Sequence, residues 1–159
     1  MRNGNLQLRS LLKAHPRREC GQALIETALT LPLLILLLIG SVELVRVVYA
    51  AIEVSNAAKA AVQFGAQNVT TAQQGASIQA SATNDAANLT LGQTTIVNSC
   101  ACASGGVTTA VACGTTCSTG YSLETLTVTT QTTFDPIIHL PGLPTTFNLY
   151  GHAVQEVLR

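Results

Sequence analysis

The chain has 159 residues, room for one small domain, and only 10% of them are charged against about a quarter in ordinary soluble proteins. Hydrophobic residues make up 47% and aromatics 4%, so the apolar content is mainly Ala, Leu, Val and Ile. This composition argues against a nucleic-acid binder, which needs a basic face, and against a conventional charge-solubilised enzyme.

The formal net charge of zero conceals a segregation. Residues 1–21 carry Arg2, Arg9, Lys13, Arg17 and Arg18 against Glu19, a net +4. From residue 22 onward, Arg46, Lys59 and Arg159 face seven carboxylates, a net −4. Between the two lies TALTLPLLILLLIGSV, residues 27–42, sixteen residues without a charge. As a helix this stretch is about 24 Å long, against a hydrocarbon core of roughly 30 Å. A buried core helix is the alternative, but so small a chain has little apolar mass to surround Leu31–Ile39.

A membrane span is therefore predicted. The cluster of basic residues ahead of it predicts a cytoplasmic N-terminus, with everything after about residue 50 outside. This divides the chain into a basic cytoplasmic leader (1–21), a transmembrane helix (22–50) and an exported domain (51–159). Pro32 falls near the start of the span and either kinks it or sits in its first turns. Glu43 and Arg46, spaced i and i+3, are expected to pair at the outer membrane boundary.

Glu26 lies in the apolar stretch ALIETALTLPLLI, where an unpaired carboxylate is costly unless it reaches the headgroup level. Its surroundings, RRECGQALIETALTLPLLILLLIG, join a basic stretch, Gly21, a Glu at the fifth position after that glycine, and an apolar helix. This resembles the cleavage region of type IV pilin-like precursors, which a membrane-embedded aspartic peptidase cuts after the glycine. The resemblance implies a cut between Gly21 and Gln22 that removes the leader, with Cys20, and keeps the helix. A conventional signal peptidase would remove the helix instead. It also implies that Glu26 attracts the free amine of a neighbouring subunit, since opposite charges in lipid each gain most by meeting.

Beyond the span the helix is predicted to continue to about Gln67, where Gly65 and Asn68 supply a stop. Val47, Ala50, Val54, Ala57 and Ala61 recur at spacings of three and four, a small-residue stripe that packs on its own domain or on a neighbouring helix. A weak second helix is expected over 72–88. From Thr94 on, β-branched runs bounded by Gly and Pro predict three or four antiparallel strands laid against the first helix, an α+β fold. Pro136, Pro141, Gly142 and Pro144 make 135–144 a loop.

Four cysteines, Cys100, Cys102, Cys113 and Cys117, fall in the exported part. Two disulfides are expected in an oxidising compartment. Bridging within Cys-x-Cys is sterically poor, which leaves Cys100–Cys117 with Cys102–Cys113, or Cys100–Cys113 with Cys102–Cys117. The nested pair would clip a hairpin turning at Gly105 and Gly106. A four-thiolate zinc site is the rival reading, although no histidine adjoins these residues.

No constellation supports catalysis or a cofactor. His139 and His152 lack a nucleophile nearby, the carboxylates show no paired spacing, and no phosphate-binding glycine loop is present.

Past the cleavage region, SVELVRVVYAAIEVSNAAKAAVQFGAQN (41–68) resembles the TadE-like proteins of tight-adherence (Flp pilus) assembly systems. Their pattern is a GQALIE-type start, a Leu-rich span closed by an acidic–basic pair, an aromatic and an N-A-A-[KR]-x-[AG] stretch. LETLTVTTQTTF, DPIIHLPGLP and TTFNLYGHAVQEVLR fit the family's strand, Pro-punctuated bend and last strand. Major Flp pilins are much shorter and carry an aromatic where Thr27 stands here. The resemblance thus implies a minor pilin or pseudopilin with a pilin-like fold, whose long helix packs by its C-terminal half on a small antiparallel sheet. It implies as partners the prepilin peptidase, other pilins or pseudopilins, and the inner-membrane assembly platform. The expected location is the bacterial inner membrane, single-pass, with the C-terminal domain periplasmic and incorporation into a surface pilus as a further step. Two alternatives stand beside this: a secreted domain released after Val48-Tyr49-Ala50, and an uncleaved anchor bearing a redox or zinc-binding cysteine domain.

Overall fold

The computed structural model describes residues 19–139, 142 and 144–158. The basic leader through Arg18, the Cys20 side chain, and Pro141 of the expected loop lie outside the described residues. The chain forms two compact units, one ending at Val42 and one spanning Glu43–Arg159. Helix α1, Glu19–Gly65, contributes residues to both.

In the first unit every side chain from Gly21 to Val42 is exposed, including the whole Leu-rich run. A core helix would bury these residues, so the buried-core alternative fails for this stretch. By length and composition the helix can cross a membrane. Pro32 lies inside it without ending it. The hydroxyls of residues 21–42 are answered within the helix: Thr27 donates to the Ala23 carbonyl and Thr30 to that of Glu26, both at 2.8 Å, and Ser41 to that of Leu38 at 2.7 Å. Such back-bonding leaves no hydroxyl donor of the span to be satisfied by water.

The second unit is α+β. After α1 come α2 (Val69–Ala72), α3 (Gly75–Asp85), β1 (Thr95–Ser104), β2 (Val107–Val111), β3 (Tyr121–Phe134) and β4 (Phe147–Glu156). The four strands form one antiparallel sheet in the order β2-β1-β3-β4. Strands β1 and β2 turn at Gly105 and Gly106, whose φ values of 58° and 83° suit a residue without Cβ.

Helix α1 packs on this sheet along the expected stripe. Ala50, Val54, Ala57 and Ala61 are all buried, so the stripe packs within its own domain. Small side chains let the helix lie close to β3, which alternates and turns Leu126, Val128, Thr130 and Thr132 inward. Ala57, Ala61, Val62, Ala72, Ile78, Ala82, Leu126, Val128 and Val157 belong to one core cluster.

Helix α1 ends at Gly65 rather than near Gln67. Asn68, expected as a stop signal, starts the next element. Its side chain accepts from the Thr71 N–H at 2.9 Å while the Thr71 hydroxyl accepts from the Asn68 N–H at 3.1 Å, a reciprocal cap for α2. The expected helix over 72–88 is realised as α3 alone, without a side-chain cap at Gln74.

Candidate functional site

Three groups of residues carry the candidate chemistry, and each sits on a different part of the fold. At the N-terminal end, Gly21 and Gln22 are exposed in the first turns of α1. A Cβ at Gly21 would meet open space, so bulk does not demand glycine there. Glu26 is exposed one turn further on. Its carboxylate has the Gln22 side-chain amide at 3.5 Å, the limit of a hydrogen bond, and neither ion pair among the described residues involves it.

The second group begins the second unit. The Arg46 guanidinium donates through Nη1 to both oxygens of Glu43, at 3.1 and 3.0 Å, which is the expected i, i+3 pair. Two partners join it that sequence spacing did not indicate. The Ile137 backbone N–H donates to Glu43 Oε1 at 2.8 Å, and the Arg46 guanidinium stands 5.3 Å from the centre of the Phe134 ring. The Glu43 side chain is only 17% exposed as a result. A main-chain donor 94 residues away leaves no mark in composition, and no local spacing ties Arg46 to the aromatic at 134.

The third group is the cysteine clip. Cys100 bonds Cys113 and Cys102 bonds Cys117, the crossed arrangement, with Cα separations of 5.1 and 5.7 Å. The topology explains the choice between the two pairings. Strand β2 ends at Val111, opposite Cys100, whereas β3 starts at Tyr121, opposite Ala103. The chain from 112 to 120 must therefore run back along β1 in the same direction, passing Cys100 first and Cys102 second. Cys100 is buried, and the Glu124 carboxylate lies close enough to Cys100 and Cys113 for the three to form a potential metal-ligand cluster. In the disulfide form neither sulfur is a thiolate, and thiolate is the form that zinc takes.

Neither described histidine contacts the candidate side chains of these groups. His139 faces Asp135 at 3.4 Å, and His152 Nδ1 lies 3.2 Å from the Thr129 hydroxyl. Asn88 Nδ2 donates to the buried Glu53 carboxylate at 3.0 Å, a structural contact between the loop after α3 and α1.

The helix that holds the first two groups is also where kinship is found. The family model of the TadE-like proteins matches residues 21–63. Over this segment, about a quarter of the chain, it is similar to the TadE-like proteins. No curated protein and no solved structure matches the chain. The TadE-like segment opens at the glycine of the expected cleavage site and closes two residues short of the end of α1. It thus takes in Glu26, the exposed Leu-rich run, the Glu43–Arg46 pair and the buried alanine stripe, and stops before the sheet.

Proposed function

We propose that this chain is a minor pilin or pseudopilin that takes part in assembling an Flp-type, tight-adherence pilus. The single observation that carries the reading is the TadE-like match over residues 21–63, which takes in the whole exposed apolar run from Gly21 to Val42. In this reading a prepilin peptidase cuts between Gly21 and Gln22. The helix then holds the product in the inner membrane, with the disulfide-clipped α+β domain on the periplasmic side. Glu26 draws in the N-terminal amine of an adjoining pilin or pseudopilin, and the assembly platform receives the helix. The role is mechanical and interactive, with no catalytic step.

The geometry favours retention of the helix over release of a secreted domain. A cut after Ala50 would fall inside α1, at a residue only 3% exposed, and would separate the Glu43 and Arg46 contacts from the domain they brace.

Intact mass and N-terminal peptide sequencing of the native protein test the reading. A start at Gln22, free or cyclised, is the expected result. A start at Ala51 or Met1 would overturn processing as a pilin.

A further inference from the structure

The second unit carries exposed apolar side chains around the first turns that α1 contributes to it. Leu44 and Val45 are each 66% exposed on the helix, and the loop after β3 adds Ile137 at 70% and Ile138 at 39%. The loop is fixed at this height, because the Ile137 N–H is bonded to Glu43. Of the charged groups here, Glu43 and Arg46 neutralise one another, while Asp135, 3.4 Å from His139, is exposed at the start of the loop.

The uncharged run ends at Val42, immediately before Glu43. A helical span needs about 20 residues to cross a hydrocarbon core of roughly 30 Å. Counting from Thr27, just inside Glu26, about 20 residues at 1.5 Å each end at Arg46. The far edge of the bilayer then falls at the Glu43–Arg46 pair, and the loop bonded to Glu43 is level with it. Two exposed isoleucines at that level would be unfavourable in water and favourable at the acyl–headgroup boundary.

We propose that the 135–139 loop is a second membrane contact, in which Ile137 and Ile138 enter the lipid surface beside α1 and hold the sheet domain down on the bilayer. The occupant is lipid, because Leu44 and Val45, exposed on α1 at this level, follow the uncharged run of the span almost directly in the chain. The inference rests on the membrane-anchor reading of α1, and its test separates the two.

The chain contains no tryptophan, so a single introduced Trp is a clean reporter. The full chain is reconstituted in phosphatidylcholine vesicles with and without brominated acyl chains, carrying Ile137→Trp, Ile138→Trp, Leu36→Trp or Val107→Trp. Ile137 uses only its backbone in the fold, and Val107, 66% exposed beside the hairpin turn, is the control. Trp at 36, 137 and 138 should lose most of its emission to brominated lipid and resist aqueous acrylamide, while Trp at 107 does the reverse. If both loop reporters behave like position 107 while position 36 is quenched, the loop contact is wrong and the anchor stands. If position 36 also escapes the brominated lipid, the anchor reading itself falls and takes the loop contact with it.

Discussion

The Thr130 hydroxyl donates to the main-chain carbonyl of Val54 at 2.7 Å, a bond between the C-terminal half of β3 and the last third of α1. Gly151 lies opposite Thr130 on β4, and a Cβ there would strike the same Val54 carbonyl and come within 2.6 Å of the Thr130 oxygen. At Gly151 the helix backbone and the sheet therefore meet with no room for a Cβ between them, and the Thr130 hydroxyl beside it ties the two together. In a domain whose helical stripe is mostly alanine, this closeness does what large side chains do elsewhere: it keeps apolar atoms in contact and excludes water.

Gly151→Ala should accordingly destabilise the domain by about 1–3 kcal/mol, the usual range for overpacking a closed interior. Thr130→Val, which keeps the shape but removes the donor, should cost about 1 kcal/mol. Denaturant unfolding of the full chain in detergent, followed by circular dichroism, measures both. Equal stability of wild type and Gly151→Ala would mean that the helix does not sit this close to β4.

The disulfides should be found as Cys100–Cys113 and Cys102–Cys117 by peptide mapping without reductant. Their closed loops span 13 and 15 residues, and a loop of that size contributes about 3 kcal/mol in the chain-entropy account. Replacing Cys102 and Cys117 by Ser should lower stability by roughly that amount. Replacing Cys100 and Cys113 should lower it further, because Cys100 is buried and a serine hydroxyl there needs a partner. Thiol titration of the denatured chain adds a check on processing: one thiol, Cys20, while the leader is attached, and none after its removal.

The parts legible in the sequence are those set by local chemistry. The Leu-rich run, the Thr- and Val-rich strands, the Gly105–Gly106 turn and the i, i+3 pair of Glu43 with Arg46 each follow from neighbours within a few residues. What the sequence withheld depends on chain path. Spacing alone allowed two cysteine pairings, and only the return of residues 112–120 along β1 selects one. The Ile137 N–H on Glu43 and the Thr130 hydroxyl on Val54 both engage through backbone atoms of a distant residue, which every residue type supplies equally. Asn68 misled for a related reason: the same side chain that suits the end of one helix suits the start of the next.

The Glu43–Arg46 pair should act as a brace between α1 and the loop after β3. Arg46→Ala removes the cation from a Glu43 carboxylate that is mostly covered, together with its stacking on Phe134. A loss of about 1–2 kcal/mol is expected from the cation–π contact and the charge-assisted bonds together. Arg46→Lys should recover only part of it, since an ammonium cannot present the planar face of a guanidinium. Hydrogen exchange at the Ile137 amide reads the brace directly, and unchanged protection in Arg46→Ala would show that the loop is held by other contacts.

Glu26 separates the assembly role from membrane insertion. Its carboxylate is exposed on α1 and, among the described residues, hydrogen-bonds only the Gln22 amide, at the limit of bonding distance, so the sheet domain does not need it. Glu26→Ala should therefore leave the stability of the sheet domain, and insertion of the helix, unchanged. It should reduce pilus assembly, because an N-terminal amine brought into lipid beside this helix would lose its counter-charge. Glu26→Asp should retain more function than Glu26→Gln, since the shorter residue keeps the charge and the isosteric one does not. Cyclisation of Gln22 bears on the same experiment. A chain whose amine is lost can still offer its Glu26 to a neighbour but cannot be drawn in by that neighbour's carboxylate, so its pairing runs in one direction. Pilus yield and membrane fractionation, measured in the same cells for each variant, decide the matter. Normal pilus yield with Glu26→Ala would make the carboxylate a headgroup-level bystander and remove it from the assembly mechanism.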